Sequence, residues 1–200
     1  MVAEEGTEAD KKFEPSLRWR VAVLSAVGGG FLAVDQVTKA IVRALVSVSA
    51  DGTWTAPFLP GVLRLEFVAN REASFGMGQG HGALFVLLAV AVLVGIAWYL
   101  FHAPAVSRIE CIGLAMVAGG AVGNAIDRVL LGYVTDFFAT EFISFPVFNV
   151  ADIGITCGVA VAFIGFLFLS PANKVDATVE LNRRDAASRA RRGRRGKGGR

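Results

Sequence analysis

From Gly82 to Phe101 the sequence reads GALFVLLAVAVLVGIAWYLF, twenty residues without a charge. As an α-helix rising about 1.5 Å per residue it reaches about 30 Å, the thickness of the hydrocarbon core of a bilayer. Three more apolar stretches accompany it: Leu17 to about Ala44, Ile109 to about Leu131, and Phe148 to Leu169. The chain of 200 residues is 54% hydrophobic and 18% charged, with many of the charges at its two ends. A soluble domain spreads its charge over its surface, whereas long uncharged runs broken by short polar connections mark a polytopic membrane protein. The predicted fold is a mainly α membrane protein, four transmembrane helices forming one bundle over residues 17–169, with spans at about 17–44, 82–101, 109–131 and 148–169.

The connections add detail. Residues 1–16 are polar and Glu-rich, and residues 170–200 end in RRGRRGKGGR. Both read as disordered tails, the second held at anionic lipid. Without aromatic interleaving, the basic tail gives no reason to expect nucleic acid. The basic residues before Val21 also fit a secretory signal peptide, but the run continues into DQVTK instead of a small-residue cleavage site, so span one is read as uncleaved. Gly28, Gly29 and Gly30 suggest close helix contact. In the connection 46–80, GVLRLEFVAN alternates apolar with polar or small residues, which predicts a strand over Val62–Ala69 and a small strand-containing subdomain. Cys111 and Cys157 lie in apolar segments and read as small buried hydrophobes. No metal-ligand spacing and no cofactor motif is present.

Lys11, Lys12, Arg18, Arg20, Arg108 and the C-terminal basic run share one side of a four-span topology. The positive-inside rule then places both termini in the cytoplasm. The late part of span one, the loop containing Asn70, the end of span three and the start of span four all face the opposite surface, where the polar motifs gather.

Ionisable groups at a membrane edge are costly and are functional candidates by default. In GNAIDR, Asn124 and Asp127 share a helix face, and Arg128 is expected to keep Asp127 ionised. In YVTDFF, Asp136 follows the helix stop at Gly132 and has apolar neighbours. Desolvation would raise its pKa and suit it to carrying a proton, although an exposed loop carboxylate is equally compatible. In FNVAD, Asn149 and Asp152 read as an N-cap and a first-turn acid, which can also fix a carboxylate at a helix start. Asp35 and Lys39 in DQVTK stand at i and i+4, spaced as an ion pair steadying span one. Asn70 opens NREASFG, a tight turn or a substrate-binding loop. His81 and His102 have no companions and are read as non-functional.

Two converging aspartates can hydrolyse a peptide bond: one ionised member activates water while the other, protonated, polarises the carbonyl. The rival from another class is a small proton- or ion-coupled transporter or channel subunit using the same acids as a relay. A relay wants acids near mid-membrane, and these cluster at one end.

The ordered set DQVTK, NREASFG, GNAIDR, GYVTDF and FNVADIGI, together with four spans, resembles the type II (prolipoprotein) signal peptidase family over about Leu17 to Leu169. The resemblance implies a four-helix aspartyl endopeptidase of the bacterial inner membrane with its site near the periplasmic face. It implies Asp136 and Asp152 as the catalytic pair. Asn70, Asn124, Arg128 and Asn149 would hold substrate or dyad, and Asp35, Lys39 and Asp127 would support them. The implied substrate is a lipoprotein precursor bearing diacylglycerol on its lipobox cysteine, cut just before that cysteine, and the implied inhibitor is globomycin. Where the family pattern runs N-x-G-A-A-F, this chain has Asn70-Arg71-Glu72-Ala73-Ser74-Phe75.

Overall fold

The computed structural model describes residues 15–49, 52–71, 82–103 and 106–170. The expected tails therefore lie largely outside the described residues, as do His81 and the loop from Glu72 onward. The elements in order are α1 (Leu17–Ser47), β1 (Thr55–Leu59), β2 (Leu63–Asn70), α2 (Gly82–His102), α3 (Arg108–Leu131), β3 (Val134–Thr140) and α4 (Val150–Leu169). Among the described residues, these four helices are long and apolar enough to cross a membrane. Short π-helical segments interrupt α1 at Leu24–Gly28 and end α4 at Gly165–Leu169.

The bundle is organised around α3. In its most apolar stretch 61% of residues are buried, against 11% for α1 and α2 and 17% for α4, which makes it the helix the others pack on. Its ends are chemically fixed. Ser107 and Glu110 form a capping box at its start, and Gly132 stops it with φ 76°. Its length is rich in small residues that let backbones approach. A Cβ at Gly119 would strike the Gly28 carbonyl of α1, so that crossing needs glycine on α3. Gly28 also packs there, but Gly29 and Gly30 have open space around them. The expected contact therefore narrows to one of the three. Large apolar side chains such as Leu87, Val94, Trp98 and Phe168 point outward from the bundle, as helices in lipid require.

Among the described residues, three strands form one antiparallel sheet in the order β1-β2-β3. The expected strand over Val62–Ala69 is present, shifted by one residue. The sheet is not built from the 46–80 connection alone, because β3 comes from the segment between α3 and α4. The motif YVTDFF, read from sequence as following a helix stop into a loop, is thus a strand. The bulk of β3 is buried on both faces, so it lacks the alternation that marks a half-exposed strand. Helix α4 starts at Val150 and not at Phe148, because Phe148 exchanges backbone hydrogen bonds with Phe138 of β3 (2.8 and 3.1 Å). Cys111 is buried as expected, whereas Cys157 is exposed on α4.

Candidate active site

Late in α1, Asp35, Lys39 and Arg43 recur every four residues and face α3. Lys39 is fully buried. It lies 2.9 Å from Asp35 Oδ2 and 3.5 Å from Asp127 Oδ2. Asp127 lies 3.6 Å from Arg43. Two carboxylates thus meet two cations. Neutral donors fill the remaining positions: Asp35 Oδ1 accepts the Ala151 N–H (2.9 Å) at the start of α4, and Asp127 Oδ2 accepts the Thr135 N–H (2.9 Å) in β3. Gln36 bridges Asp35 and the Gly123 carbonyl, both at 3.1 Å. Arg43 also donates to the Thr135 hydroxyl (3.0 Å). The cluster ties α1, α3, α4 and β3 together with every charge matched.

The expected pairing of Asp127 with Arg128 does not occur. Consecutive helical residues point about 100° apart, so the two side chains diverge. Asp127 turns into the α1 cluster and Arg128 turns to a cavity, where its guanidinium sits 5.1 Å above the Phe85 ring.

Asparagines connect this cluster to the other two acids. Lys39 donates to Asn124 Oδ1 (2.8 Å). With its oxygen facing the cation, Asn124 must present its Nδ2 on the other side, where it donates to Asp152 Oδ1 (2.8 Å). Asn149 caps α4: its Oδ1 accepts the Asp152 N–H (3.0 Å), and its own N–H donates to Asp152 Oδ2 (3.1 Å). That cap leaves Asn149 Nδ2 free to donate to Asp136 Oδ1 (2.6 Å) and Asn124 Oδ1 (3.1 Å). Asn70 Nδ2 donates to Asp136 Oδ2 (2.8 Å). Asn70 and Asp136 are diagonal neighbours across the β2–β3 pair, since Asn70 opposes Val134 and Val68 opposes Asp136. Asp136 and Asp152 are therefore bracketed by one residue, Asn149, and held by amide donors instead of cations.

Asp136, Asp152, Asn70, Asn124 and Arg128 line a cavity of ≈ 700 Å³ whose other walls are mostly apolar side chains of α2, α3, α4 and the segment before α4. Cys157 is among them. Burial pushes the Asp136 carboxyl up to about 7. The Asp152 charge adds to the rise, while the Asn70 and Asn149 hydrogen bonds and the Lys39 charge oppose it. A carboxyl that keeps its proton near neutrality beside a second carboxylate can supply both acid and base.

Every candidate site residue named from sequence is thus placed. Asp136, Asp152, Asn70, Asn124, Asn149 and Arg128 converge on the cavity or its amide frame, and Asp35, Lys39 and Asp127 form the matched cluster behind it. Gln36, Arg43 and Thr135 were missed. The Asp35–Lys39–Arg43 spacing was a signal for Arg43, but Gln36 and Thr135 carry none.

A family model described as signal peptidase (SPase) II matches residues 28–168. The lipoprotein signal peptidase of Latilactobacillus sakei is 41% identical over 134 residues, which cover 66% of this chain and 85% of that protein. The lipoprotein signal peptidase of Geobacillus thermodenitrificans is 36% identical over 158 residues, covering 78% and 96%. Among solved structures, a bacterial membrane enzyme superposes with a TM-score of 0.65 at 26% identity, covering 74% of this chain and 88% of that one.

Proposed function

The chain belongs to the signal peptidase II family, and on that premise we propose that Asp136 and Asp152 are the catalytic pair with which it removes signal peptides from lipoprotein precursors. It is an aspartic-type endopeptidase of bacterial membranes. The observation that carries the assignment is the contrast in charge pairing. Asp35 and Asp127 are matched by Lys39 and Arg43, while Asp136 and Asp152 share a cavity with Arg128 and are held by asparagines. With one proton between them, the two acids and Arg128 form a neutral group.

Asp136 carries that proton and Asp152 acts as the base. A water between them loses a proton to Asp152 as its oxygen attacks the scissile carbonyl carbon, and Asp136 donates a hydrogen bond to the carbonyl oxygen. When the tetrahedral intermediate collapses, the proton taken up by Asp152 passes to the departing amine, the C–N bond breaks, and Asp136 keeps the proton it began with. That amine belongs to the lipidated cysteine, because cleavage falls just before it. The apolar cavity walls receive the diacylglyceryl chains, whose binding energy positions the peptide bond at the acids. A globomycin-type inhibitor would compete for the same cavity. Both termini face the cytoplasm and the acids face the outer surface, a topology supported by the distribution of Lys and Arg.

Purified protein in detergent, given matched lipidated and unlipidated precursors, tests the reading. The expected result is cleavage of the lipidated form, releasing a product whose N-terminus is the modified cysteine. Equal kcat/KM for the two forms would rule out lipid positioning. Cleavage elsewhere would overturn the assignment of the scissile bond.

A further inference from the structure

The catalytic cavity does not end at mid-bundle. It shares Val92, Val117 and Val159 with a second, more open and almost wholly apolar cavity of ≈ 500 Å³. On α3 the lining positions are Glu110, Leu114, Val117, Ala121, Asn124 and Arg128. Steps alternating between four and three make one continuous face along the helix. With α2 and α4 as walls, the two cavities form a trough running from the aspartates to Tyr99 and Glu110. Asn124 and Glu110 stand about 21 Å apart along the helix axis at its usual rise.

The far end of the trough has an unusual charge. Glu110 is only 3% exposed. Its carboxylate accepts the Ser107 N–H (3.2 Å) and the Tyr99 hydroxyl, both neutral donors. The ion pairs among the described residues leave it out. Arg20, a buried cation on α1 near this end, directs its Nε and Nη1 at the Pro15, Leu100 and Ala103 carbonyls. A buried carboxylate outside any ion pair is costly, and a cation brought along the trough would offset that cost.

Building on the function proposed above, we propose that the Tyr99–Glu110 end of the trough is a subsite for the basic n-region of the substrate's signal peptide. A signal peptide carries a cationic n-region, an apolar h-region of about 7–15 residues, and then its cleavage segment. As a helix, that h-region spans roughly 10–22 Å. It therefore fits the apolar part of the trough while the scissile bond meets Asp136 and Asp152 and the n-region meets Glu110. The trough measures the distance between charge and cut, and Glu110 is a specificity residue for the known reaction.

The test is a double-mutant cycle in neutral detergent, which removes anionic lipid as a competing partner for the n-region. Glu110→Gln removes the charge and keeps the cap, since Gln serves at that capping-box position. Two lipidated precursors are compared, one with its n-region lysines and arginines intact and one with them replaced by glutamine. Wild-type enzyme should favour the basic precursor about fivefold in kcat/KM, the modest gain left when desolvation offsets most of a buried pair's attraction. In Glu110→Gln that ratio should fall to about one. A ratio that persists in Glu110→Gln, or equal use of both precursors by wild type, overturns the subsite and leaves the peptidase function standing. Failure to cut either precursor overturns both. A second measurement needs no variant enzyme: inserting about two helical turns of apolar residues before the cleavage segment should abolish the preference for the basic n-region. A preference insensitive to that insertion also overturns the proposal.

Discussion

Two polar clusters lie side by side at one end of the bundle, and they are built on opposite rules. In the cluster of Asp35, Lys39, Asp127 and Arg43, each carboxylate has a cation and a backbone N–H, and it ties α1, α3, α4 and β3 together. In the pair of Asp136 and Asp152, each carboxylate is held by asparagine donors beside a cavity. The first arrangement commits each acid to a cation of the scaffold. The second gives its acids neutral donors, which suits the catalytic role proposed for Asp136 and Asp152. Acidity alone therefore does not identify a catalytic carboxylate in this bundle. What separates the two sets is whether the protein supplies the counter-charge.

The strongest way to break this comparison is to neutralise the proposed catalytic pair. Asp136→Asn and Asp152→Asn should each lower kcat on a lipidated precursor by about a thousandfold or more. Thermal stability in detergent at neutral pH should not fall below wild type, since neither acid loses a cation. Near-normal turnover by Asp136→Asn would refute the assignment.

The converse experiment attacks the matched cluster. Lys39→Met leaves Asp35 buried without an ion-pair partner and Asp127 with Arg43 alone. Breaking a buried pair by removing one partner costs about 3–5 kcal/mol. The variant should insert poorly or melt well below wild type, a loss that thermal unfolding in detergent would register. A Lys39→Met protein with normal stability but no activity would mean that Lys39 works in the chemistry and not in the scaffold.

This difference was only partly legible in the sequence. The four helices were, because a charge-free apolar run has few other solutions, and the Asp35–Lys39 pair follows from helical spacing. The partner of Asp127 was not, because adjacency to Arg128 in sequence says nothing about adjacency in space. Lys39 and Arg43 reach Asp127 across the α1–α3 contact. Strand β3 was also hidden. Its ladder partner β2 is more than sixty residues earlier in the chain, and burial on both faces erases alternation. The asparagines were legible as candidates, but their orientations depend on Lys39 and on the α4 cap, which are tertiary facts.

Asn124 sharpens the comparison because it belongs to both sides, accepting from Lys39 and donating to Asp152. Asn124→Ala should lower kcat by about a hundredfold, the usual scale for losing one preorganised donor. It should cost less stability than Lys39→Met, since Lys39 keeps both carboxylates. A stability loss as large as that of Lys39→Met, with kcat little changed, would place Asn124 in the scaffold alone.

The smallest effect is in pH, and it separates the role of Asp136 from simple structural support. Burial raises its carboxyl from the ordinary 3.8 to about 7. Folding therefore favours the protonated form. The stability contributed is fully present below about pH 4 and is lost as pH rises through about 7. Asp136→Asn cannot titrate, so its melting temperature relative to wild type should climb across that window and level off above it. Activity should follow the same proton: with Asp136 as the acid, kcat/KM falls about tenfold per pH unit above about 7. The melting difference must level off at the pH where activity begins to fall if a single group governs both. If activity declined near pH 7 while the melting difference between wild type and Asp136→Asn stayed flat, the titrating group would lie elsewhere, and Asp136 would lose its role as the proton carrier.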